Sequence, residues 1–274
     1  EHAFFGCSDL TDVAIGDGVT SIGSSAFYGC SSLTSVQIPA GVTSIGNYAF
    51  YYCSSLTSVQ IPAGVTSIDD YTFAHCHSLA SVQIPAGVTS IGDHAFYNCH
   101  SMESIQLPEG ITTIGDHAFY YCRGLTSIVI PDSVTTIGAS AFEQCASLES
   151  VILPAALTEI PQQLLARCTS LKSVVIQQGV VKIGAQAFIG TALASVQIPS
   201  SVRIIEEKAF RELNKLSMVT FNRDSKMETI GAAAFEDCVV MQTINVPAGI
   251  TSIGANAFKG NGNLKVFDIP VGLT

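Results

Sequence analysis

Cysteine, histidine and aspartate recur in this chain at intervals that invite disulfide, metal and nucleophilic chemistry. Cys stands at 7, 30, 53, 76, 99, 122, 145 and 168, always 23 residues apart, and returns at 238. Stacked neighbours in such a column would bring Cα atoms within about 5 Å, inside disulfide reach. The side chains of one column point the same way, however, and parallel vectors close a bond poorly. The total of nine is odd, Thr191, Leu213 and Asn261 fill the other slots, and no paired CxxC spacing of a zinc site occurs. Buried, unreactive thiols are the expected state, which leaves the redox compartment undetermined.

Asp93-His94 and Asp116-His117 occupy equivalent places one repeat apart, Asp70 continues the Asp column backwards, and His77 with His100 forms a second pair. Imidazoles about 5 Å apart beside carboxylates could hold a divalent cation such as zinc, through His94 and His117. The same column also holds Ser25, Tyr48, Tyr71, Ser140 and Gln163. That variety fits solvent positions filled by whatever a duplication copied, so no metal or cofactor is assigned. Catalysis finds no support. There is no GxSxG elbow, HExxH, P-loop or GxGxxG. A repeat also offers the same surface many times, where an active site needs one exceptional pocket. No residue is assigned a catalytic role.

The elements that carry these columns follow from the period. Phe recurs at 4, 27, 50, 73, 96, 119, 142 and 188, Leu165 fills the vacant slot, and Phe210, Phe235 and Phe258 continue the series. A Leu or Met opens each of twelve units, from Leu10 to Leu264. In the unit Leu33–Ser55, Leu33, Val36 and Ile38 mark an alternating strand that Pro39 ends. Gly41 turns the chain, and Val42 and Ile45 point inward through a second short extended piece. Gly46 opens a stretch in which Ala49, Phe50 and Cys53 share a face by i, i+3/i+4 spacing, which predicts a short helical turn. One unit cannot bury that apolar set alone, so neighbours must stack. Twelve parallel strands about 4.8 Å apart make a solenoid roughly 50–60 Å long.

Composition agrees. Hydrophobic residues make up 47% and charged residues 12%. No apolar run approaches the ~18 residues of a membrane helix, and the apolar content excludes disorder. The net charge of −10 argues against a nucleic-acid surface. That charge is lopsided: residues 1–122 hold ten Asp/Glu, all six His and no Lys or Arg, while 123–274 hold twelve acidic and twelve basic residues.

The pattern LxxIxIPxxVTxIGxxAFxxC resembles the BspA-like, or Treponema-type, leucine-rich repeat, almost letter for letter in Leu79–Cys99 and Met102–Cys122. The resemblance spans essentially the whole chain. It implies an α/β repeat fold: a right-handed leucine-rich-repeat superhelix with the LxxIxI strands on a concave parallel sheet and short helical turns on the flank. It also implies surface or secreted proteins of bacteria and microbial eukaryotes, acting in adhesion and partner binding without catalysis. The reading is one solenoid over 1–274, uncapped at both ends, with Glu1 inside a turn and Thr274 just after a strand. Between 188 and 226 one residue is lost before Leu193 and two enter near Asn222–Lys226, so a disturbed register or curvature is expected there.

Three surfaces rank as binding candidates. The flank carries all eight Tyr, between 28 and 121. Tyr48, Tyr51, Tyr52, Tyr71, Tyr97, Tyr120 and Tyr121 mixed with Asp70, Asp93 and Asp116 form an acidic aromatic strip. It would suit a basic protein segment or a glycan, although Tyr packing between adjacent turns explains the same residues. The concave face presents Gln37, Gln60, Gln83 and Gln106, then Val129, Ile152 and Val175, an apolar interruption that a partner, a further copy or a neighbouring loop would cover. A Thr column from Thr20 to Thr158 is the third, its β-branched residues suited to extended backbone in any case. The expected partner is a protein or glycan, on a host or matrix surface, met by a cell-surface or secreted chain. The rival is an intracellular structural scaffold that self-associates through its solenoid ends or the apolar patch.

Overall fold

The structure is a computed structural model and describes residues 1–267. Of the strand expected before Thr274, 264–267 is described, with Val266 bridged in parallel to Thr243, and the rest lies outside the described residues. Two compact units, 1–148 and 149–274, are each described by themselves.

Each unit is a stack of parallel strands in two columns. In the first unit the Ser-x-Gln strands Ser58–Gln60, Ser81–Gln83, Ser104–Gln106 and Ser127–Val129 pair side by side. Their register sets Gln60 beside Gln83, Gln83 beside Gln106 and Gln106 beside Val129. The middle residue of each is buried and its neighbours exposed, as the period-2 alternation requires. A second column runs through Ser67–Ile68, Ser90–Ile91, Thr113–Ile114 and Thr136–Ile137. In the second unit Ser150–Ile152 pairs with Ser173–Val175, and Ser195–Ile198 with Met218–Phe221. The described residues form a parallel-sheet β-solenoid of about ten turns, against the twelve units counted from opening residues. That count included the partial unit from Leu264 onward.

The Phe column is the spine of the core. Phe27, Phe50, Phe73, Phe96, Phe119 and Phe142 stack with centroids 5.2–5.5 Å apart, and Phe188, Phe210, Phe235 and Phe258 repeat the stack in the second unit. Leu33, Leu56, Leu79, Met102, Leu125 and Leu148 are fully buried. Each such side chain contributes about 1.5–3 kcal/mol of burial.

The helical turns expected on the flank do not form: no helix stands among the described residues. The hydrogen bonds give the reason. Tyr48, Phe50 and Tyr52 donate their N–H groups to the carbonyls of Asp70, Thr72 and Ala74 in the next turn at 3.0, 2.9 and 2.9 Å. The intervening Ala49, Tyr51 and Cys53 donate three residues back, to Gly46, Tyr48 and Phe50, each at 3.1 Å. A helix would keep every N–H inside its own turn; here alternate peptides are captured by the neighbour. Aiming them outward puts two residues per turn in the left-handed region, Tyr48 at φ 59° and Tyr52 at φ 60° among them. That backbone is unfavourable for non-glycine residues by roughly 1–2 kcal/mol, and the inter-turn bonds offset it. Ser25, Gln163 and Lys208 adopt it too, so the fold imposes the conformation and no binding site is needed to explain it.

Through the irregular stretch the second strand column stays paired, whereas the first is interrupted, Ser173–Val175 and Ser195–Ile198 lying in separate two-stranded sheets. Ser195↔Met218 through Ile198↔Phe221 pair without a slip, and Ile204 pairs with Lys182 on one side and Thr229 on the other. The missing and extra residues fall in loops, the insertion closing through Ser225 N–H to the Asn222 carbonyl at 3.0 Å.

Candidate functional site

In the first unit the turn column carries a plate of rings in mutual contact. Tyr48 stacks on Tyr71 at 4.6 Å, Tyr71 on His94 at 4.4 Å and His94 on His117 at 4.6 Å. Beside them Tyr28 stacks on Tyr51 at 4.7 Å and Tyr97 on Tyr120 at 5.0 Å. The two columns touch through Tyr48–Tyr51, His94–Tyr97 and His117–Tyr120, all 5.4–5.6 Å apart. Tyr52 and Tyr121 flank the plate at 6.1 Å from Tyr51 and 5.8 Å from Tyr120. Every sequence-selected Tyr is therefore in one assembly, half-buried except Tyr52, which is exposed. Stacking turns most ring faces toward one another, and the Tyr120 hydroxyl accepts from Gln144 Nε2 at 3.0 Å.

One member escaped the sequence reading. Ala74 interrupts the Tyr51–Tyr97 column, and His75 from the neighbouring column bridges it, 5.3 Å from Tyr51 and 5.1 Å from Tyr97. Asn98 Nδ2 lies 3.2 Å from both His75 Nδ1 and His77 Nε2. The sequence signal was the coincidence of Ala74 and His75 in adjacent slots.

The Asp column does structural work. Asp93 N–H donates to Asp70 Oδ1 at 2.8 Å, Asp116 N–H to Asp93 Oδ1 at 2.8 Å and Ala139 N–H to Asp116 Oδ1 at 2.7 Å. Each carboxylate keeps its second oxygen for something else. Burial, then neighbouring tyrosines, pushes the Tyr51 phenol above the ordinary range. Burial leads again for Tyr71, followed by Tyr48 and the carboxylates of Asp93 and Asp70. The phenols are thus neutral donors at neutral pH. Burial followed by a neighbouring imidazole lowers His75, His77 and His94, so these rings are predominantly uncharged there.

His94 and His117 stack at an interplanar angle of 11°. Lone pairs lie in the ring planes, so parallel imidazoles cannot converge on one ion. No group of three or more His, Cys, Asp or Glu able to hold a metal comes together among the described residues.

The Ser-x-Gln face is a succession of shallow grooves. One of about 500 Å³ lies along Gln83, Ala86, Gln106 and Glu109, and the next, of about 430 Å³, along Gln60, Ala63 and Gln83. Gln37 joins by a bridge to Ala14. In the first unit Val129 ends the row, 77% exposed; in the second, Ile152 and Val175 are paired and 61% and 43% exposed. In the Thr column four hydroxyls are used locally, Thr43, Thr89, Thr112 and Thr135 donating to the Thr carbonyl of the preceding turn.

Stacked short parallel strands with a repeated Leu/Phe/Cys core define a leucine-rich-repeat solenoid. The chain belongs to the BspA type leucine rich repeat family, whose model matches residues 1–102, 89–217 and 181–274. Solved structures agree. A leucine-rich repeat protein from Bacteroides ovatus is 29% identical, over 90% of this chain and 81% of that one, with a TM-score of 0.66. One from Eubacterium ventriosum is 26% identical over 94% and 84%, with a TM-score of 0.61. The leucine rich repeat protein of T. pallidum is 28% identical over 67% and 78%, with a TM-score of 0.55. No curated protein matches. Leucine-rich-repeat proteins are generally non-enzymatic and serve as protein-interaction modules, and BspA-like members are typically surface or secreted. Among the described residues no helix is long and apolar enough to cross a membrane.

Proposed function

We propose that this chain is a non-enzymatic adhesion or protein-interaction module, working at a cell surface or after secretion, and that its partner docks on the ring plate of the first unit. The observation that carries the reading is the plate itself: Tyr48, Tyr51, Tyr52, Tyr71, Tyr97, Tyr120 and Tyr121 in one contact network beside Asp70, Asp93 and Asp116. Tyrosine offers wide, rigid, amphipathic contact area at low entropic cost. Equivalent groups repeat turn after turn, so many weak contacts add as avidity. A protein is favoured over a glycan because stacked rings offer a sugar few open faces. Replacing Tyr97 and Tyr120 by Ala is expected to weaken binding to immobilised matrix proteins about tenfold or more, with an unchanged circular dichroism spectrum. A double variant that binds as well as the parent removes the flank from consideration.

A second reading, a scaffold that self-associates, is favoured by the apolar exposure of Ile152 and Val175 on adjacent strands. The remaining face, Gln37, Gln60, Gln83 and Gln106 with Val129, would then be an assembly surface. Ile152→Gln replaces an exposed apolar side chain by a polar one and is expected to lower any self-association seen by sedimentation. Identical sedimentation of parent and variant rules out the patch.

A further inference from the structure

A guanidinium group already lies on the edge of the ring plate. Arg123 is the one basic residue of the first unit, against twelve Asp and Glu. Its Nη2 donates to the Tyr121 hydroxyl, and its Cζ lies 4.0 Å from the Tyr121 ring centroid. A planar cation over a π face is held by the ring quadrupole, and more firmly as water is excluded. Charge points the same way. The ion pairs from Lys172–Glu149 to Lys259–Glu236 all fall between 149 and 267. Among the described residues Asp70, Asp93 and Asp116 have no ionic partner, and each gives Oδ1 to a backbone N–H. Carboxylates about 4.8 Å apart along the stack act as one field, since screening extends about 8 Å at physiological salt.

We propose that the plate between Tyr48 and Tyr121 is the docking surface for an arginine-rich segment of a partner protein, with Asp70, Asp93 and Asp116 as its counter-charges. The inference rests on the flank reading above and supplies the partner's chemistry. Arginine fits where lysine does not: its planar, weakly hydrated guanidinium offers forked donors to the carboxylates and needs only one open face at the rim of the plate, as Arg123 uses on Tyr121, whereas an ammonium is a hydrated point charge. A divalent ion would need converging ligands, which the described residues do not bring together. An extended peptide repeats every ~6.8 Å on one side and the plate every ~4.8 Å. Recognition therefore reads guanidinium content and tolerates sequence.

The test uses fluorescent nona-arginine and nona-lysine peptides, read by anisotropy at neutral pH and about 0.15 M salt. The parent chain is expected to bind the arginine peptide about tenfold more tightly than the lysine peptide. The variant Asp70→Asn/Asp93→Asn/Asp116→Asn keeps the Oδ1 acceptors, in a column where Asn47 already stands, and is expected to bind it about tenfold more weakly. The control Asp17→Asn/Glu103→Gln/Glu109→Gln removes equal charge from exposed positions off the plate and is expected to shift affinity less than about twofold. Tyr97→Ala/Tyr120→Ala should erase the preference for arginine. Equal weakening by both triple variants, or equal affinity for both peptides, overturns the proposal. If the arginine peptide fails to bind while the double Tyr variant still loses a matrix partner, the arginine inference falls and the flank reading stands.

Discussion

Phe96→Ala is expected to destabilise the first unit by about 3–5 kcal/mol, a Tm loss of roughly 10 °C for a unit of this size. Phe96 is fully buried, stacked between Phe73 at 5.5 Å and Phe119 at 5.3 Å. Truncation leaves a cavity bounded above and below by rings that cannot close it, because each is tied to its own turn. The backbone around the site is untouched: Phe96 N–H still donates to the Ala118 carbonyl at 2.8 Å, and its carbonyl still accepts from Cys99 N–H at 3.2 Å. The loss therefore measures the side chain, with the two stacked contacts adding about 0.5–1.5 kcal/mol each beyond area. Leu165 supplies the comparison, since it fills the same column fully buried. Phe96→Leu should cost no more than about 1.5 kcal/mol. Urea denaturation followed by far-ultraviolet circular dichroism separates the two. A Phe96→Ala chain that unfolds within about 1 kcal/mol of the parent would mean that the Phe stack does not hold the core.

The same column explains why so much of the fold was legible from composition and spacing. Each slot of a stacked turn meets one environment, so identity at intervals of 23 reports burial directly: the Leu, Phe and Cys slots are interior without exception from Cys30 to Phe142. The flank was misread because i, i+3 spacing is shared by a helix and by successive three-residue-back turns. What separates them is the sign of φ at Tyr48, His94 and Gln163, and a slot that accepts Tyr, His and Gln alike carries no signal for it. The binding strip was legible as membership. It was not legible as geometry, because whether Tyr71 faces solvent or His94 depends on a 4.4 Å stack between turns. The irregular stretch near 188–226 was legible only as length changes; that they leave Ser195–Ile198 paired with Met218–Phe221 while separating it from the sheet of Ser173–Val175 is decided by pairing.

A thiol titration is expected to find one reactive cysteine in the native chain and nine after unfolding. Cys7 is exposed, whereas the other eight are buried. Burial pushes the Cys30 thiol up to about 11, and Cys122 and Cys238 up to about 12. The reacting species is the thiolate, so at pH 8 a thiol with a pKa near 12 presents only about one part in ten thousand of it. Geometry reinforces the effect. The S–H of Cys53, Cys76, Cys99 and Cys122 donates to the Phe carbonyl 26 residues earlier at 3.1–3.2 Å, and deprotonation would set a thiolate against that oxygen. Reagent access then depends on opening of the turn stack, so the slow phase reports local unfolding. Cys7→Ser should abolish the native signal while leaving eight thiols in denaturant. The unfolded count, taken without reductant, also decides the pairing question: stacked Cys slots share a direction, and nine free thiols follow from that. A shortfall of two would require one neighbouring pair to have turned toward each other, at the expense of the S–H to carbonyl bonds that link each turn to the one before.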